Sequence, residues 1–89
     1  MIRKIVLESL EELNKVYKKP ELTNIINESA IYDNLDSMGI LDLIIEIESR
    51  LQKHYGEFIQ IADDSIMDEI KTPFKTFESL IHFVEKKVD

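Results

Sequence analysis

A chain of 89 residues with a net charge of −7 and no cysteine makes one small domain, residues 1–89, with no disulfide staple and no thiolate for zinc. The acidity is central, with twelve acids against two bases in residues 20–70 and slightly basic flanks, a field that repels nucleic acid and suits either basic protein partners or simple solubility. No apolar run approaches a membrane span, and the opening MIRKIVLESLEEL gains charges too early for a secretory signal, so a cytoplasmic monomer without membrane insertion is expected.

Residues 2–18 place Val6, Leu10, Leu13 and Tyr17 on one helical face. Lys18, Lys19 and Pro20 supply a stop. Residues 20–35 are irregular and polar, yet they hold Leu22, Ile25, Ile26, Ile31, Tyr32 and Leu35. A long loop with that many apolar side chains must be pinned to the core, and the segment leaves room for a short helical turn near Thr23 to Asn27. The spacing predicts a second long helix over 37–54, with Asp36 as N-cap and Tyr55-Gly56 as its end. Asp63 or Asp64 caps a short third helix carrying Ile66, Met67 and Ile70. Thr72-Pro73 and Thr76 both signal a helix start. From there Phe77, Leu80, Ile81, Val84 and Val88 form the cleanest amphipathic stripe in the chain. No run alternates as a strand does, so the expected fold is all-α: a bundle of three main helices and one short one, with a long first loop.

The second helix carries two apolar faces. At about 100° per residue, Ile40, Leu43, Ile44, Ile47 and Leu51 share one arc, as a core stripe should. Met38 and Ile45 fall outside it, on the side of Asp42, and Leu41 and Glu48 sit between the two faces. Met38, Leu41 and Ile45 thus form a second apolar strip bordered by Asp42, Glu46 and Glu48. That pattern suggests a docking surface. The alternative is that the long loop covers it.

Ser37, in DNLDSMGILD, has three readings: a helix cap, a nucleophile or an attachment point. A serine nucleophile needs a base. His54 lies about 25 Å along the same helix at 1.5 Å per residue, and His82 falls on the polar side of the last helix, so both read as surface histidines. No phosphate loop or metal-ligand spacing is present, and the many carboxylates read as a solvated face. No catalytic residue and no metal site is expected. Asp36 already serves as the cap, which makes Ser37 the first helical residue. Its side chain then stands where free N–H groups and the helix dipole favour an anion. Gly39 costs helix propensity and leaves room for a close approach. An attachment point explains more of these residues than a cap does.

LDSMGILDLIIEIE resembles the phosphopantetheine attachment motif of acyl carrier proteins. Ser37 matches the modified serine, Asp36 the aspartate before it, and Met38 the apolar residue after it. Asp42 stands where many members carry glutamate, and Glu48 matches a later acid. IADDSIMDEI resembles the family's short third helix and TFESLIHFV the start of its last. The resemblance implies a four-helix carrier bundle that is not itself an enzyme. A phosphopantetheinyl transferase would place 4'-phosphopantetheine from coenzyme A on Ser37, and the arm's thiol would carry an acyl or aminoacyl group as a thioester. A loading ligase and downstream synthases or transferases would dock on the acidic second helix through Met38, Leu41, Asp42, Ile45, Glu46 and Glu48. The sequence departs from the fatty-acid type at Gly39, where an acid is usual. DSMG and Thr72-Pro73 are instead similar to D-alanyl carrier proteins, and HYGEFIQ is longer and more apolar than the family's usual segment. Fatty acid, D-alanylation, polyketide and peptide pathways all stay open. The rivals are an acidic helical interaction module without a prosthetic group and a small hydrolase using Ser37.

Overall fold

In the computed structural model, which describes residues 1–89, three α-helices account for the regular structure: α1 (Ile2–Tyr17), α2 (Ser37–Tyr55) and α3 (Phe77–Val88). The protein is all-α. Single 3₁₀ turns at Pro20–Leu22, Tyr32–Asn34 and Asp64–Met67 punctuate the connections. Each long helix stops for a local reason. Lys18 adopts a left-handed conformation and returns its N–H to the Asn14 carbonyl, a cap that strips one orphan carbonyl from the end of α1. Gly56 does the same for α2 at φ 76, a backbone angle that glycine tolerates without steric cost.

The core is built from the stripes that the spacing predicts. Val6, Leu10 and Leu13 of α1, Ile40, Leu43, Ile44, Ile47 and Leu51 of α2, and Phe77, Leu80, Ile81 and Val84 of α3 are all buried. Tyr17 and Val88 pack half-buried at the edges. Ser9 is also buried within the α1 face, its hydroxyl donating to the Ile5 carbonyl at 2.8 Å. That local bond is what lets a polar group sit there.

The long first connection is pinned, as its apolar content requires. Leu22 and Ile31 are fully buried. Residues 27–32 run antiparallel to residues 74–78 and share four backbone hydrogen bonds, among them Ile31 N–H to the Lys75 carbonyl and Tyr32 N–H to the Phe74 carbonyl. The same contact serves α3. Phe77 and Glu78 donate their N–H groups to the carbonyls of Ser29 and Asn27, and Thr76 and Ser79 form a capping box beside them. The orphan donors of the first turn are thereby satisfied by the loop and the cap. Ile26 departs from the expectation and lies exposed. No helical turn forms over residues 23–27; the local turn sits earlier, at Pro20–Leu22, where proline fixes the first backbone angle.

The expected short third helix is likewise smaller than its sequence suggests. It is a single 3₁₀ turn, Asp64–Met67, capped by Asp63. Ile66 is buried, whereas Met67 and Ile70 are exposed. Asp68 accepts the N–H groups of Ile70 and Lys71, so an aspartate turn replaces the next helical turn. Nor does Thr72-Pro73 start α3, which begins after Thr76.

Asp63 ties this turn to α3 through Lys87 at 2.9 Å. Hydrogen bonds from Ser65, then the bond from Lys87, hold its carboxyl below the usual aspartate value. A depressed carboxylate contributes stability above its unfolded value and loses it as pH falls through the folded one. The Asp63 side chain is therefore expected to titrate below an ordinary aspartate by NMR. Ser65→Ala should raise that midpoint more than Lys87→Ala does.

Candidate functional site

The site begins with the loop that delivers the chain to α2. The turn Tyr32–Asn34 is held on one side by the backbone bond to Phe74 and on the other by the Tyr32 hydroxyl, which donates to the Met67 carbonyl at 3.3 Å. Leu35 then packs half-buried against the core. Asp36 takes an extended conformation and caps α2, its Oδ1 accepting the Gly39 N–H at 2.8 Å while its carbonyl accepts Ile40 N–H. Of the four N–H groups that a helix leaves free at its start, the cap takes that of Gly39, and those of Asp36, Ser37 and Met38 have no partner within the molecule. Ser37 is the first helical residue, is exposed, and takes no part in the cap.

Gly39 has a different role from the one its sequence position suggests. It is buried, and a Cβ there would lie 3.0 Å from Leu35 Cδ2 and 3.2 Å from Leu35 Cβ. The space left by the missing side chain is filled by the chain's own Leu35. The glycine thus lets the incoming loop press against the first turn of α2, which fixes where Ser37 emerges.

Met38, Leu41 and Ile45 are 63%, 50% and 64% exposed. The long loop does not cover them, and they form one uncovered apolar strip along α2. The three acids around the strip are all engaged within the molecule. On one flank the Tyr17 hydroxyl donates to Asp42 Oδ2 at 2.7 Å, and Arg50 Nε donates to Glu46 Oε2 at 2.8 Å. The hydrogen bond to Asp42, then desolvation and the nearby negative charges of Asp42 and Asp36, pushes the Tyr17 phenol above its ordinary value. Arg50 also reaches Glu8 and Glu12 of α1, so this flank fastens α2 to α1. On the other flank Glu48 Oε2 accepts the N–H groups of Ile61 at 2.9 Å and Ala62 at 3.3 Å. Glu48 thus anchors the irregular segment that follows α2, a role that no local pattern in the sequence reveals. Nor did the sequence reveal Tyr17 as a partner of Asp42; its place on the α1 apolar face hid its hydroxyl, and only the antiparallel pairing of α1 with α2 brings the two together.

A half-open groove of about 420 Å³ lies beside Asp36. One wall is the end of α1, with Tyr17 and Lys19; the other is the loop around Asp33 and Leu35. A second groove, of about 390 Å³, runs between α1 and residues 22–25 and includes none of the residues around Ser37. His54 and His82 are both exposed. No cluster of histidine and carboxylate side chains assembles a metal site, and no helix is long and apolar enough to cross a membrane. Comparison with protein-family models, with curated proteins and with solved structures gives no match to this chain.

Proposed function

We propose that the protein is a carrier whose Ser37 holds a covalent 4'-phosphopantetheine arm. The observation that supports this most directly is the exposed Ser37 at the mouth of a capped helix, beside backbone N–H groups that have no partner within the molecule. Donors of that kind, with the positive end of the helix dipole, suit a phosphodiester. The residues therefore fit the group: Ser37 would hold it, Asp36 would keep the first turn closed, and Gly39 would keep Leu35 in register beneath it. On attachment, Ser37 Oγ bonds to phosphorus, the phosphoanhydride of coenzyme A breaks, adenosine 3',5'-bisphosphate leaves, and the hydroxyl proton passes to a base on the transferase. The bound group supplies a thiol that carries an acyl or aminoacyl cargo as a thioester, a chemistry this cysteine-free chain lacks.

In this reading the chain performs no catalysis of its own. It presents Ser37 and offers Met38, Leu41 and Ile45 to the transferase, the loading ligase and the downstream enzymes, in a cytoplasmic monomer. Asp42, Glu46 and Glu48 hold that strip in place and contribute to the surrounding negative field, so docking should be fast, weak and salt-sensitive. The three α-helices and the turn at Asp64–Met67 would then correspond to the four elements of an acyl-carrier-like bundle.

The test is intact mass after incubation with coenzyme A and a broad-specificity phosphopantetheinyl transferase. One added phosphopantetheine is expected on the wild type and none on Ser37→Ala. The variant should fold normally, because an exposed substitution of this kind changes stability by about 0.5 kcal/mol or less. An unchanged mass in a folded wild-type sample would instead favour an interaction module using the same apolar strip.

A further inference from the structure

We propose that the groove beside Asp36 is a resting site for the phosphopantetheine arm, which would fold back between the end of α1 and the loop before α2. This rests on the carrier reading and adds a binding role for Tyr17, Lys19, Glu21 and Asp33, to which that reading gives none. The groove is lined by Asp36, the residue immediately before Ser37, so an arm leaving Ser37 need only turn back to enter it. Its size falls within the ~300–1,000 Å³ common for small-molecule clefts.

Its chemistry suits this occupant better than it suits an anion. The groove is rich in acceptors, with the carboxylates of Glu21, Asp33 and Asp36 against the single cation of Lys19. Beyond its phosphate, the arm is a neutral chain carrying two amide N–H groups, a hydroxyl and a geminal dimethyl group. Its donors match the carboxylates, and Lys19 can serve an amide carbonyl. Half-buried Leu35 and the ring of Tyr17 provide apolar surface for the dimethyl group. The Tyr17 hydroxyl is already committed to Asp42, which holds that ring as a fixed wall. The phosphate itself stays outside, at the α2 mouth, where the free N–H groups lie. An anionic ligand of similar size would meet an excess of negative charge in the groove.

The test uses ¹³C,¹⁵N-labelled full-length protein loaded with an unlabelled arm by a phosphopantetheinyl transferase, with Ser37→Ala treated identically as the control. Isotope-filtered NMR should show contacts from the arm's dimethyl protons to the Leu35 methyls and the Tyr17 ring. Amide shifts should change at residues 17–19, 21 and 33–35, and the control should show none of these effects. A confirmed mass gain with shift changes confined to residues 36–40 and no such contacts would overturn the resting site while leaving the carrier reading intact. No mass gain in a folded sample would overturn both.

Discussion

Phe77→Ala should destabilise the protein by about 3–5 kcal/mol, the usual range for deleting a buried phenylalanine. The ring is almost fully buried at the point where α3 meets the core, and the Arg3 guanidinium lies 5.1 Å from its centroid. A chain of this length is stabilised by roughly 4–13 kcal/mol in total, so the loss would consume a large part of the margin. The variant keeps the backbone N–H that bonds Ser29, so the deficit comes from lost ring packing and the lost Arg3 contact rather than from a broken backbone hydrogen bond. Urea denaturation followed by circular dichroism measures it. Phe77→Leu, which fills more of the cavity, should lose clearly less. A midpoint unchanged in Phe77→Ala would mean that α3 is not seated as described.

Glu48→Ala should also destabilise, by roughly 1–3 kcal/mol, since a buried donor left without its acceptor costs about that much. Ile61 is fully buried, so its N–H has no ready replacement from water. Glu48→Gln retains an acceptor oxygen and should recover part of the loss. Amide exchange at Ile61 and Ala62 should accelerate in the alanine variant more than elsewhere. This separates a structural anchor from a docking acid: a residue that only meets partners would weaken their binding and leave both stability and local exchange unchanged.

The contrast between Phe77 and Glu48 shows what could be read from the chain before folding. Phe77 belongs to a stripe repeated over three turns, and such periodicity identifies a buried face without knowledge of its partner. The stripes of α1 and α2 were legible for the same reason, as were Asp36 as cap and Ser37 as first helical residue. Glu48 could not be read this way. An acid on the flank of a helix looks the same whether it meets water or a neighbouring backbone, and the neighbour lies thirteen residues on in an aperiodic segment. Ile70 lies outside any helix although its spacing suggests one, because one turn of apolar spacing does not distinguish a helix from an aspartate turn. At Gly39 the sequence suggests an opening for a visitor, whereas Leu35 fills it through a loop whose path no local pattern fixes.

The strap between residues 27–32 and 74–78 has a consequence for the order of assembly. The hydrogen bond between Asn27 and Glu78 joins residues more than half the chain apart, and such distant closures slow folding because chain entropy is lost before contacts repay it. α3 has 12 residues, at or below the ~12–15 that an isolated helix needs to persist in water. Its first turn borrows carbonyls that exist in place only once the middle of the chain is laid down. The last helix therefore matures late, and a peptide of residues 77–88 alone should show little helicity by circular dichroism.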